Sequence, residues 1–298
     1  MFSYIFLFLS AIPFLSKGNT IKLEKKIYSV VTTAALFSYS ILGLFSLILI
    51  TLDQSRFPII YLSIFIFIFT LYFNNNFKEY IKIKNLLISE SLKFINYFKN
   101  KDQRIYLIII CFLLILITIS SIGPINHPDA LDYHVGYPYQ YWLKGKFFID
   151  EGLHQALMGA GDYANLSFIQ EKTIWCIRYI QIFNLPLLSL FLINNIKNKL
   201  FIIAFLSTST FMQWSTIGKP LFLGESSCAI AYLIWKEYKD EFSRKLLLVC
   251  IVCCISIKIS SLIVCAPIAI DIILDIFNKH NNNFRKLILL LRNILLDK

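Results

Sequence analysis

The stretch that decides the fold is "IYLIIICFLLILITISSI", residues 105–122, which carries no charged side chain. About 17–25 predominantly apolar residues are needed for a helix to cross the hydrocarbon core of a bilayer. The stretch therefore predicts a transmembrane helix. Directly after it comes "GPINHPDALDYHVGYPYQYW", residues 123–142, a segment dense in His, Asp, Tyr and Pro.

The rest of the chain has the same apolar character, with 57% hydrophobic residues and a mean hydropathy of +0.65. We predict an all-α polytopic transmembrane bundle of about 8–10 spans, with an external loop that carries short amphipathic helices. The run 246–277 is too long for one untilted crossing and contains Lys258, so we expect two short helices that meet near this lysine. The other predicted spans are 2–16, 27–52, 57–73, 105–122, 173–193, 200–217 and 220–235.

The charged loops predict the orientation of these spans. The net charge of +11 comes largely from short basic loops and from segment 74–104, which reads as a basic amphipathic helix on the inner leaflet. Cytoplasmic placement of these loops puts segment 123–172 outside. We therefore divide the chain into N-terminal helices with a basic segment, 1–104, and a module 105–298 whose first external loop is 123–172. The basic charge is explained by topology, so nucleic acid is not an expected partner.

The seven cysteines all lie in or beside apolar runs. None has zinc-site spacing with histidine partners, and a disulfide framework would require cysteines in external loops. Their positions, including the "CIVCC" run at 250–254, indicate helix packing.

The polar segment after the first long span has two interpretations. A short helix that begins near Pro128 would place Asp129 and Asp132 on one face, with Tyr133 one turn from Asp129. Two carboxylates in an aromatic setting would suit a general base and an orienting neighbour. The alternative is an ordinary external loop, in which the aromatic rings form an interfacial belt and the acids are solvated.

Two lysines bear on this choice, because Lys219 and Lys258 both fall at predicted external ends of spans. Either could extend its side chain to the interface, but ionisable groups beside membrane helices are often paired or functional. Together they favour an anionic, lipid-linked substrate, since an ammonium group is a compact charge for a phosphate.

A metal site is a further interpretation of the same segment. His127, Asp129, Asp132 and His134 spell H-x-D-x-x-D-x-H, and these ligand types could hold Mn or Zn. A short helix would not point all four side chains in one direction. We therefore expect no firm cofactor, with a divalent metal as the open alternative.

In order along the chain, "HPDALDYH", "YPYQYWLKGKFF", "GLHQALMGAGDYANL", "STIGKP" and "SIKIS" resemble elements of the GT-C superfamily of membrane glycosyltransferases. The branches concerned are the glycosyltransferase-39-like proteins, the protein O-mannosyltransferases and the aminoarabinose transferases. The resemblance covers roughly residues 105–277. Ala130 stands where the family often has a second acid, and Asp132 lies two residues further along the chain.

What the resemblance implies is sugar transfer from a polyprenyl-phosphate donor to a lipid, glycan or protein acceptor. It places the chain in a bacterial inner membrane with its active-site loop on the external face. Asp129 would be the catalytic base, with Asp132 as the second catalytic acid. The substrate-binding residues would be Tyr133, His134, Tyr137, Asp162, Lys219 and Lys258.

Family members usually run well beyond 298 residues, so we also expect a C-terminally truncated chain whose activity alone is uncertain. The second hypothesis is a transporter or flippase of a lipid-linked or anionic solute. The third hypothesis is an inactive fragment or subunit. Transporters often contain internal repeats and midplane charges, and we find no repeat in the sequence.

Overall fold

The computed structural model describes residues 1–16, 23–74, 77–122, 125, 127–128, 130–149, 155, 157–196, 198–208, 211 and 219–279. Within these ranges all regular secondary structure is helical, as the sequence predicts. The helices are α1 (Phe2–Ser16), α2 (Leu23–Thr51), α3 (Ile59–Asn74), α4 (Phe77–Tyr97), α5 (Lys101–Ile122), α6 (Gly136–Lys144), α7 (Ala160–Tyr163), α8 (Asn165–Gln170), α9 (Cys176–Gln181), α10 (Leu185–Asn195), α11 (Lys199–Ser207), α12 (Phe222–Tyr238), α13 (Glu241–Ile257) and α14 (Leu262–Lys279).

Four helical segments of the described chain are long and apolar enough to cross a membrane, by length and composition. Shorter apolar helices occupy Phe2–Ser16 and Ile59–Tyr72. An integral membrane protein is therefore supported, while the predicted number of spans remains a prediction. The four segments are Lys26–Thr51, Gln103–Ile122, Cys176–Asn195 and Ile259–Phe277.

Helix α2 is the centre of the bundle, because its neighbours cover it on several sides. Its small polar residues let other helices approach closely and bond to it, which is a common feature of packed membrane helices. The Ser227 hydroxyl of α12 donates to the Thr32 carbonyl at 3.1 Å. The hydroxyl oxygens of Ser40 and Ser256, the latter in α13, are hydrogen-bonded at 2.7 Å. The predicted segments 1–104 and 105–298 therefore share one core.

Helix α5 lies at the periphery, since only 22% of its spanning window is buried against 67% for α2. Exposed Ile108, Phe112, Ile115 and Ile119 recur every three or four residues along it. Side chains at this spacing share one helix face, so α5 presents an exposed apolar stripe, as a helix in contact with lipid would.

The loops separate into two groups at opposite ends of α2, which is about 43 Å long at 1.5 Å per residue. At its N-terminal end, Lys26 pairs with Asp240, and Tyr28 donates to Glu90 at 2.8 Å. Beyond its C-terminal end, Ser55 donates to the Tyr141 carbonyl at 2.6 Å. We call the first the lower end and the second the upper end of the bundle.

The apolar run 246–277 divides at Lys258, as predicted. Helix α13 ends at Ile257, Lys258 is extended, and a 3₁₀ turn at Ile259–Ser261 leads into α14. The predicted span 173–193 is also divided, because α9 ends at Gln181 and α10 begins at Leu185 with Pro186 in its first turn. The second half of the predicted span 200–217 lies largely outside the described residues.

Candidate functional site

A buried polar cluster lies at the upper end, where the π-helical turn Ala130–His134, helix α7 and the α13–α14 junction meet. Its centre is the Asp162 carboxylate. One oxygen, Oδ1, bonds to His134 Nδ1, and the other, Oδ2, accepts the Gly159 N–H at 2.8 Å and faces Lys258 Nζ at 3.3 Å. His134 and Asp162 are fully buried and Lys258 nearly so. We call His134, Asp162 and Lys258 the upper cluster.

Glycines permit the close packing that builds this cluster. A Cβ on Gly43 of α2 would overlap the Ala160 carbonyl, and a Cβ on Gly159 would overlap the Ile257 carbonyl. Helix α7 is therefore wedged between α2 and the end of α13. This position brings Asp162 to Lys258, the residue that follows α13.

Lys258 is held by protein groups and does not extend to the interface. Besides Asp162, its ammonium donates to the Leu157 carbonyl at 3.1 Å and lies 4.7 Å from the Tyr133 ring centre. A buried charge is costly unless it is paired and hydrogen-bonded, and here both conditions are met. The lysine thus compensates the Asp162 charge.

His134 is held as a neutral, oriented imidazole. Burial lowers its pKa below the ordinary 6.5, and the positive charges of Lys258 and Lys219 act in the same direction against the attraction of Asp162. A carboxylate only accepts, so Nδ1 carries the proton and Nε2 keeps a lone pair. Nε2 is buried and has no hydrogen-bond partner within the described part of the chain.

The backbone around His134 is fixed by α2 and α8. Asn165 donates to the His134 carbonyl at 2.7 Å, and Tyr39 of α2 donates to Asn165 Oδ1 at 3.1 Å. Tyr39 also donates to the Gly161 carbonyl at 3.0 Å. The backbone of His134 is therefore held by Asn165, while its imidazole is oriented by the bond from Nδ1 to Asp162, as pre-organised groups in reaction sites are.

The structure brings together four of the residues singled out from the sequence: Tyr133, His134, Asp162 and Lys258. Lys219 is half-buried and near enough for its charge to act on His134. Tyr137 is buried among aromatic rings, with the Phe148 ring centre at 6.3 Å.

Asp132 is not part of the buried upper cluster. It is exposed, whereas His134 in the same turn is buried. Asp129, the base implied by the family resemblance, lies outside the described residues. The acid that the structure buries at the centre is Asp162. The interpretation of an ordinary external loop with solvated acids therefore does not apply to Asp162.

The described residues of the H-x-D-x-x-D-x-H pattern do not come together as a set of metal ligands. His127 is half-buried, Asp132 is exposed and His134 is bonded to Asp162, and these three form no metal-type grouping in the described ranges. A divalent metal at this segment stays a prediction from sequence.

The pairing of His134 with Asp162 was not predictable from spacing, because 28 residues separate them along the chain. The one sequence signal is "GAGDY", in which two small residues, Gly159 and Gly161, come shortly before Asp162 and indicate close packing there.

No protein-family model, curated protein or solved structure matches the chain.

Proposed function

We propose that the chain is a membrane glycosyltransferase that moves a sugar from a polyprenyl-phosphate donor to a lipid, glycan or protein acceptor. The observation that carries this proposal is His134, a neutral imidazole oriented by a buried carboxylate, with an unengaged Nε2 among the described residues. A carboxylate that fixes the tautomer of a histidine leaves the other nitrogen ready to accept a proton.

A second support is the positive potential near His134. Asp162 offsets the Lys258 charge, and the Lys219 charge just before α12 adds to the positive potential at His134. A phosphate held near Lys219 would be stabilised as charge develops on the leaving group. In this proposal Lys258 balances Asp162 and Lys219 faces the phosphate, whereas the sequence predicts phosphate binding for both lysines.

A third support is a largely apolar cavity that would suit a lipid chain, with the Glu225 side chain among the residues that line it. It has a volume of about 550 Å³ and is lined by side chains of α10, α11, α12 and α14, including Leu188, Phe205, Ala229 and Val264. Phe222 at the start of α12 lines it, and Pro220, two residues earlier, packs at the position of a Gly161 Cβ. The cavity therefore begins beside the upper cluster.

In the proposed reaction an acceptor hydroxyl attacks the anomeric carbon and the bond from that carbon to the phosphate oxygen breaks. The polyprenyl phosphate leaves with the bonding electrons, and a base takes the hydroxyl proton. The resemblance gives this role to Asp129, and we propose His134 Nε2, a buried nitrogen with a lone pair, as its partner or replacement. Proximity of donor and acceptor at the membrane surface would supply much of the rate.

The test uses the purified chain in vesicles with a radiolabelled polyprenyl-phosphate hexose and a bacterial membrane extract as the source of acceptors. We expect label in a covalent product together with release of polyprenyl phosphate. Release of the phosphate is measured because it does not require the acceptor to be known. No release above that of vesicles lacking protein would contradict the proposal.

The proposal also places the upper end on the external face of a bacterial inner membrane. A reporter fused near residue 150 is expected to report the external side, and one near residue 90 the cytoplasm. The reason is that the described contacts of 80–97 and 238–245 lie at the lower end, where the flanking loops are basic. The reverse pattern would remove the external site.

A transporter is the second candidate, favoured by the burial of the three ionisable groups of the upper cluster in a membrane protein. In that reading His134 would relay protons, and the substrate would cross the membrane unchanged.

A further inference from the structure

A second cluster, independent of the proposed function, lies between α12, α13 and α14. The thiol sulfurs of Cys228, Cys254 and Cys265 all lie within 4.8 Å of one another, and the Cys228 and Cys265 sulfurs are 4.0 Å apart. All three residues are fully buried. We call them the thiol cluster. Cys250 lies beside Cys228 as well, with its sulfur 3.1 Å from Thr33 Oγ1.

Each helix contributes one member of the thiol cluster. Gly224 allows α12 to approach α13, because a Cβ there would stand 2.7 Å from the Cys254 sulfur. The cluster lies one turn below the upper end, since the Lys258 N–H donates to the Cys254 carbonyl at 3.2 Å. Three separate chain segments thus converge on one point with the same side-chain chemistry.

The spacing suits a metal ion better than a disulfide. Sulfurs about 2.3 Å from a shared ion in a trigonal arrangement lie about 4.0 Å apart, whereas a disulfide bond is about 2.05 Å long. Thiolate sulfur selects thiophilic cations, and Zn²⁺ and Cu⁺ are the common biological ones. A cation would also compensate thiolates that an apolar interior otherwise disfavours.

We infer that Cys228, Cys254 and Cys265 bind one thiophilic cation, Zn²⁺ or Cu⁺, which ties α14 to α12 and α13. The ion would brace the helices beside Lys258 and so support the upper cluster. The sequence alone indicated helix packing for these cysteines, because their spacing along the chain shows no metal motif.

The test loads the purified protein with Zn²⁺ or Cu⁺, desalts it and measures bound metal. We expect about one ion per chain for the preferred metal. Cobalt(II) replaces Zn²⁺ as a spectroscopic probe, and a thiolate-to-metal charge-transfer band is expected in the wild-type protein. A competing Cu⁺ chelator distinguishes the two ions. Wild-type protein that retains neither ion and shows no band would overturn the inference, whatever the variants do.

Cys228→Ser and Cys265→Ser are expected to lose the bound ion, and the matched control is Cys176→Ser, a buried cysteine of α9 outside the thiol cluster. The control should keep the ion. If Cys228→Ser retains as much metal as the wild type, or if Cys176→Ser loses it equally, the ion is held elsewhere and the assigned site is wrong.

Discussion

Replacing His134 with Asn is expected to slow polyprenyl-phosphate release by about 10²–10⁴-fold, the usual contribution of general acid–base catalysis. The asparagine amide can still donate to Asp162 in place of Nδ1, but it has no nitrogen at the Nε2 position. The substitution therefore removes the lone pair and keeps the hydrogen bond that holds α7. The measurement is the rate of polyprenyl-phosphate release, compared at equal amounts of wild-type and variant protein in the vesicles.

The pH dependence gives the same test without a mutation. Burial lowers the pKa of His134, so its neutral form persists below pH 6.5 and is lost only as the pH falls through the lower value. Release is expected to stay constant from neutral pH to below 6.5 and then to decline. A half-maximal rate at pH 6.5, or a wild-type rate in His134→Asn, would remove His134 from the chemistry.

Asp129→Asn separates the two candidate bases. The family resemblance predicts that this variant abolishes transfer while folding and membrane level stay intact. Loss of transfer in both Asp129→Asn and His134→Asn would indicate that the two side chains act as a unit, so that the effects of the two substitutions do not add. Full activity in Asp129→Asn would contradict the assignment that rests on the resemblance. His127→Gln addresses the metal interpretation, which predicts that this variant too loses activity.

Asp162→Asn is expected to destabilise the protein by about 3–5 kcal/mol, the cost of leaving one partner of a buried ion pair without its counter-charge. Lys258 would then keep a buried positive charge beside Leu157 and Tyr133 with no carboxylate to balance it. The measurement is equilibrium unfolding in mixed micelles.

Two further variants make this prediction specific. Asp162→Asn combined with Lys258→Met removes both charges, so its free energy of unfolding should lie closer to the wild type than that of the single variant. Glu241→Gln breaks an exposed pair with Lys245 and should leave stability nearly unchanged. Equal stability of Asp162→Asn and Glu241→Gln would mean that the buried pair does not support the fold.

The features that the sequence predicted are those set by local physics. Apolar length predicted the helical, membrane-type fold, and a charge inside an apolar run predicted the break at Lys258. The break between α9 and α10 was not predicted. Pro186 has no N–H to continue the hydrogen bonds of α9, and Asn184 at the break donates instead to Ser227 of α12 at 2.6 Å.

The site was predictable in its residue types and not in its connections. Tyr133, His134, Asp162 and Lys258 are all candidates from the sequence, but no sequence pattern predicts that His134 and Lys258 both pair with Asp162. Their pairing depends on α7 being wedged at Gly43, a contact between residues more than a hundred positions apart. The thiol cluster was missed for the same reason, since its members come from three helices.

The most direct test of the central claim, that the upper end is a reaction site and not a passage, is a label chase in sealed vesicles. A polyprenyl-phosphate donor with a radiolabelled sugar is supplied on one face, and the label is followed into covalent product and across the membrane. A glycosyltransferase predicts label in product with matching release of polyprenyl phosphate, reduced in His134→Asn. Label that crosses the membrane on an unchanged donor, with no covalent product, would contradict the account.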